Sequence, residues 1–141
     1  MNIELLRATD LNANLQIEVS ALYRQLNASG DQLLLREVLA PGNNVLIAVC
    51  KIERQLVGIA LLATYRVISG YRGLVEDVVV DSAHRGKGIG RKLMEKLLQE
   101  VKTKNLDEVL LFTGHHRVPA INLYKSLGFT LRKSGIYNLK L

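Results

Sequence analysis

The chain has 141 residues, 48% of them hydrophobic, and a net charge of +6 from 19 Lys plus Arg against 13 Asp plus Glu. That length and apolar content suffice for one domain with one core, without disulfide or metal staples. Cys50 is the only cysteine, so no internal disulfide can form, and no apolar run approaches the roughly 20 residues that span a bilayer.

Residues 2–7 read as a short strand. Thr9 and Asp10 follow, and either can cap a helix start. Leu11, Leu15, Val19, Leu22 and Leu26 then recur at three- and four-residue steps, the pattern of an amphipathic helix. A second helical stretch is expected from Asp31 through Leu34, Leu35 and Val38, ending at Pro41-Gly42. Residues 45–51 are rich in Val and Ile and read as a buried strand, with Cys50 as a small core residue. A turn at Glu53-Arg54 leads into a second strand, 55–67, so the two should form an antiparallel hairpin. Residues 73–81 give a third strand.

Ile89, Leu93 and Leu97, with Met94, Leu98 and Val101, form two adjacent apolar rows on one helix. Residues 108–113 form the next strand, which should run parallel to its neighbour across that helix. Pro119 suits the first turn of a helix over about 119–127, and Gly128 ends it. Two short strands are expected last, 129–133 and 136–140, turning at Ser134-Gly135. This order implies an α+β fold, a mixed sheet with helices on both faces. No linker or repeat divides it, so a single domain over 1–141 is expected. The N-terminal residues lack a signal-peptide pattern, and a cytoplasmic protein that does not engage membranes is the expectation.

Chemistry concentrates between residues 78 and 91, where Val78-Val79-Val80 runs into a loop holding His84, Arg85, Gly86, Lys87, Gly88, Ile89, Gly90, Arg91 and Lys92. A strand, a glycine-rich loop and a helix start follow one another. A helix N-terminus leaves N–H groups unpaired and carries partial positive charge. Glycines let an anion approach those groups, and Arg85, Lys87 and Arg91 add formal charge. A pyrophosphate suits the pattern. No aromatic residues alternate with these cations, which argues against a nucleic-acid partner. Glycine spacing separates the phosphate binders. A dinucleotide GxGxxG starting at Gly86 would need glycine at position 91, where Arg91 stands. A P-loop ending at Gly86-Lys87 would need glycine at position 81 and Ser or Thr at 88, where the chain has Asp81 and Gly88.

Arg85-Gly86-Lys87-Gly88-Ile89-Gly90 resembles the coenzyme A pyrophosphate loop of the GNAT superfamily of N-acetyltransferases. Leu123-Tyr124-Lys125-Ser126-Leu127-Gly128-Phe129 is similar to the ending of that family's late helix. The resemblance is firm over residues 73–141; the first 70 residues fit only by element order. It implies an acyl-CoA N-acyltransferase fold, mostly antiparallel with a central parallel strand pair. It implies direct transfer of an acetyl group from acetyl-CoA to a primary amine, with no metal. The main chain of Val78 and Val80, with Val79 between them, would pair with the pantetheine arm. The Val78 N–H would contact the thioester oxygen. Gly86, Lys87, Gly88, Ile89 and Gly90, with Arg85 and Arg91, would hold the pyrophosphate.

Tyr124 matches the family's tyrosine near the sulfur and would protonate the leaving thiolate. Glu76 is the preferred acceptor of the amine's proton. Adjacent strand residues face opposite ways, so at most one of Glu76 and Asp77 should face the site, unless a bulge changes the parity. His115 and His116 remain alternatives, as base or substrate contact, or simply as an exposed loop pair. Arg117 stands where many relatives carry an asparagine, and Asn122 on the same helix is the remaining candidate for that contact. The amine itself is open. A phosphorylated or amino-sugar amine suits a basic protein, and Glu76-Asp77-Val78-Val79-Val80-Asp81 is similar to the strand of glucosamine-6-phosphate N-acetyltransferases. The +6 charge disfavours polyamines. A protein N-terminus, a lysine or an aminoglycoside stays open, as do a non-catalytic CoA-binding sensor and a homodimer built on the C-terminal strands.

Overall fold

A computed structural model describes all residues, 1–141. Five strands form one sheet in the order β1-β2-β3-β4-β5. β1 is Asn2–Leu5, β2 Val45–Ile52, β3 Gln55–Val67, β4 Gly70–Val80 and β5 Glu108–Leu111. β1 to β4 pair antiparallel, and β4 pairs parallel with β5, from Arg72 opposite Glu108 to Val75 opposite Leu111. The helices are α1 (Ala13–Arg24), α2 (Leu35–Val38), α3 (Ile89–Thr103) and α4 (Val118–Ser126). No helix is long and apolar enough to cross a membrane.

Strand alternation divides the core into two halves. Ala48 and Cys50 of β2 point to one face, with Ala60, Leu62 and Val75, and meet Ile89, Leu93, Met94 and Leu97 of α3. Ile47 and Val49 point to the other face and meet Leu15, Val19 and Leu22 of α1 and Leu35 of α2. The expected helices on both faces are therefore present. Gly58 brings α3 close to the sheet: a Cβ there would stand 2.9 Å from Ile89 Cγ2 and 3.0 Å from Leu93 Cδ1. Cys50 is fully buried, and burial pushes its thiol pKa up, as befits an inert core residue. The β2–β3 hairpin turns at Glu53 (φ 52°) and Arg54 (φ 68°), the two positive values a tight hairpin turn asks for.

Four expectations need correction. Thr9 and Asp10 do not cap α1. Asp10 accepts from the Arg7 N–H at 2.7 Å to close a 3-10 turn, and Asn12 caps α1 by accepting from the Leu15 N–H at 2.8 Å. Helix does not begin at Asp31, because α1 captures that segment. Gln16 Oε1 accepts from the Leu35 N–H at 2.8 Å, and Gln32 Nε2 donates to the Ser20 carbonyl at 3.1 Å. The strands expected at 129–133 and 136–140 do not form. The Phe129 ring packs edge-on against Tyr124, but Leu131, Tyr137, Leu139 and Leu141 beyond it lie exposed. Their alternation finds no face to bury itself against, and strand propensity without packing is weak. In consequence the parallel pair stands at the end of the sheet, not at its centre.

Candidate active site

β4 and β5 part company beyond Val75–Leu111. From Glu76 to Val80, β4 has no neighbour on its β5 side. On its β3 side the register also breaks. Leu61 faces Glu76 and Ile59 faces Val79, so both Asp77 and Val78 stand against Ala60. This is a β-bulge, with Asp77 in the left-handed region at φ 50°. The bulge abolishes the strict alternation on which a choice between Glu76 and Asp77 rested. Both carboxylates now border the gap between β4 and β5. Burial raises the pKa of Asp77, while burial and then the adjacent Asp77 charge raise that of Glu76.

The gap opens into a cavity of about 740 Å³. β4 contributes Val78 and Val80 to its wall. The loop and the start of α3 contribute Arg85, Gly86, Gly88, Ile89, Gly90 and Arg91. α4 contributes Tyr124. Three sequence candidates lie outside the lining. The Val79 side chain is buried on the α1 face, Asn122 is exposed on the far side of α4, and Lys87 is exposed on the loop. His115 and His116 are exposed and do not line this cavity.

The loop is shaped to present N–H groups. Gly86 and Gly88 take φ values of 77° and 78°, and a Cβ on either would meet nothing within 4 Å, so backbone conformation rather than room calls for glycine. Gly88 begins α3 without a side-chain cap. No oxygen of the protein accepts from the N–H groups of Gly86, Lys87, Gly88, Ile89, Gly90 or Arg91. That row of donors sits at the positive end of a 15-residue helix. The base of the loop is braced from α1. Gln25 Nε2 donates to Asp81 Oδ1 at 2.7 Å, Gln25 Oε1 accepts from the Ser82 N–H at 2.9 Å, and His84 Nδ1 lies 2.8 Å from Asp81 Oδ2. These bonds, from Gln25 first and then His84, hold the Asp81 carboxyl below its usual pKa. His84 thus braces the base of the loop through Asp81.

The arginines differ in freedom. Arg85 Nε donates to the Val80 carbonyl at 3.1 Å, laying the side chain along the strand end. Arg91 reaches Glu95 at 3.5 Å and hydrogen-bonds Ser126, pinning α3 to α4. Tyr124 is 9% exposed, and burial raises the pKa of its phenol, the Arg117 charge opposing that shift. Its hydroxyl has no hydrogen-bond partner in the protein and is not sealed from the cavity. Sequence reasoning passed over Leu26, Phe112 and Thr113 of the lining. Phe112 and Thr113, expected to extend the strand to 113, leave the sheet where β5 ends at Leu111.

Comparison with known proteins fits this geometry. The model of the acetyltransferase (GNAT) family matches residues 11–129. The chain is 34% identical over 90 residues to streptothricin acetyltransferase of Escherichia coli, covering 63% of this chain and 49% of that protein. It is 36% identical over 62 residues to N-alpha-acetyltransferase 30 of Saccharomyces cerevisiae, covering 44% of this chain and 35% of that one. The matches thus span about half or less of those relatives. Among solved structures, an aminoglycoside acetyltransferase from an uncultured soil metagenomic sample superposes with a TM-score of 0.84 at 20% identity, covering 99% of this chain and 95% of the other. Glucosamine-6-phosphate N-acetyltransferase from Arabidopsis thaliana gives 0.78 at 21%, covering 99% of each chain. Both structures share the fold of this chain. With nearly the whole globular part of the sequence inside the family's model, this chain belongs to the acetyltransferase (GNAT) family.

Proposed function

We propose that the protein is an acetyl-CoA-dependent N-acetyltransferase acting on a primary amine by direct transfer. The observation that carries this reading is the row of unaccepted N–H groups from Gly86 to Arg91, opening onto a cavity that continues into the β4–β5 gap. A pyrophosphate supplies the acceptors that such a row lacks. The arm attached to it would run along Val78 and Val80, whose main chain has no β5 partner there. Arg85 adds charge at the loop, whereas Arg91, held by Glu95 and Ser126, chiefly ties α3 to α4.

Transfer needs a free amine, a polarised carbonyl and a protonated leaving group. Asp77 and Glu76 border the gap with raised pKa values, which makes them better proton acceptors than carboxylates at the ordinary value. Asp77, the more enclosed of the two, takes the ammonium proton. Glu76 lies toward solvent and provides its way out. The Val78 N–H, beside the bulge, meets the oxygen on which charge develops. Tyr124 gives its proton to the departing thiolate, as a phenol with no other partner can.

Calorimetric titration with acetyl-CoA, with NAD as control ligand, tests the reading. One-site binding of acetyl-CoA and none of NAD is expected. Affinity should weaken as salt rises, because a charged group meets a partly exposed loop. A folded protein that ignores acetyl-CoA would refute the proposal.

A further inference from the structure

A second cavity, of about 230 Å³, lies on the α1 face of the sheet. Ile59 and Leu61 form its floor over the fully buried Ile47, Val19 and Tyr23 of α1 one wall, and Val38 part of its cover. The cover is built in place, since Gln16 and Gln32 tie residues 32–35 to α1. Asp77 borders this cavity as well as the larger one. The bulged residue is therefore the point at which the two spaces meet.

We propose that this second cavity receives the acceptor, and that the acceptor is a small primary amine on an apolar body, carrying neither phosphate nor carboxylate. The inference rests on the transferase reading and names the substrate class of that site. Three observations carry it. Of eleven lining residues eight are hydrophobic, so the hydroxyls of a sugar would lie against apolar side chains without partners. The charged residues of the lining are Asp31 and Asp77, with no Lys, Arg or His among them. An ammonium is attracted there and a phosphate repelled. Volume sets the size: a cavity of about 150 Å³ holds benzene, so this one has room for a ring or short alkyl chain plus an aminoalkyl arm. The net charge of +6 misleads here, because none of the Lys or Arg residues lies in this lining.

The amine nitrogen would sit beside Asp77, at the mouth of the β4–β5 gap. One ammonium proton passes to Asp77 and on to solvent. The nitrogen lone pair then forms the C–N bond to the acetyl carbon, and the C–S bond breaks. The thiolate takes the Tyr124 proton, and the second nitrogen proton restores the phenol through solvent. The products are one amide, one CoA thiol and one released proton.

The test has two stages on the full chain. Calorimetry with acetyl-CoA comes first and judges the transferase reading alone. Thiol release is then measured with phenylethylamine, glucosamine 6-phosphate, an aminoglycoside and a peptide with a free N-terminal methionine. Phenylethylamine should exceed each of the others in kcat/KM by about tenfold or more, the discrimination that one or two apolar groups supply. Preference for the phosphosugar, the aminoglycoside or the peptide, in a protein that binds acetyl-CoA, overturns the inference and leaves the transferase reading standing. Failure to bind acetyl-CoA overturns both. Val38→Phe narrows the cavity and should raise KM for phenylethylamine about tenfold while acetyl-CoA affinity holds. Leu33→Lys adds a cation to the lining at a side chain 71% exposed, where folding is safe, and should act in the same direction. An unchanged KM in these folded variants also overturns it.

Discussion

Replacing Tyr124 with phenylalanine removes one oxygen and nothing else. The ring is 9% exposed and packs edge-on against Phe129 at 6.1 Å between centroids, and both contacts survive the change. The hydroxyl has no partner in the protein, so no buried donor or acceptor is orphaned by its loss. Stability should therefore shift by no more than about 0.5 kcal/mol, in contrast to the roughly 1–3 kcal/mol lost when a buried hydrogen bond is broken. Catalysis should respond differently. A positioned general acid contributes about 10²–10⁴-fold, or roughly 3–5 kcal/mol of barrier. Three measurements separate these effects: thermal unfolding, calorimetry with acetyl-CoA and initial rates of thiol release. The expected result is an unchanged melting temperature, unchanged acetyl-CoA affinity and a kcat lowered at least a hundredfold. A kcat within threefold of the parent would refute the assignment and leave Tyr124 as a packing residue beside a cofactor site. A parent that bound acetyl-CoA but turned over no amine would instead revive a CoA-binding sensor. Because burial raises the phenol's pKa, the parent should hold its donor proton beyond the usual tyrosine range, and the alkaline limb of kcat should lie correspondingly high.

Asp77→Asn should lower kcat/KM by about 10²-fold or more, and Glu76→Gln by distinctly less; the reverse order would move the proton acceptor to Glu76. The Asp77 pKa is raised in the fold, so its ionised form is penalised above the folded pKa and the penalty vanishes below the unfolded pKa. Asn also tolerates φ 50°, so the variant should melt higher than the parent at pH 8, with the gap shrinking on acidification. For the same reason the acid limb of kcat/KM should fall above the ordinary carboxylate range, which a pH–rate profile will show. Gly88→Ala should cost about 1–2 kcal/mol through left-handed strain alone, since a Cβ there meets nothing, and should weaken acetyl-CoA binding. Leu93→Ala, at a fully buried position between α3 and the sheet, should cost about 2–5 kcal/mol in denaturant unfolding.

Local features were readable from the residues because local physics made them. The β2–β3 hairpin follows from two Val- and Ile-rich runs and a two-residue turn, and α3 from its apolar rows. The uncapped loop follows from glycine spacing. What escaped depends on contacts distant in sequence. The bulge arises from how β4 registers against β3, and its one local trace is that aspartate tolerates the left-handed region. The second cavity owes its cover to Gln16 and Gln32, whose side chains displace helix from 31–34. The tie from Arg91 to Ser126, which joins α3 to α4, likewise spans a long stretch of chain that no local pattern marks. The tail after Phe129 carries a strand's alternation but lacks a surface to spend it on.

The bulge in β4 also sets a limit on how robust this protein can become. One surplus residue interrupts the ladder, holds a non-glycine backbone at φ 50° and keeps a half-buried carboxylate, Asp77, beside a second one, Glu76. Each of these weakens the native state. Removing Asp77 would let β3 and β4 pair without interruption and relieve all of them together. Selection or engineering aimed at heat resistance alone would therefore erode this position first, and the most durable descendant of the chain would be one that had closed the junction between its two cavities.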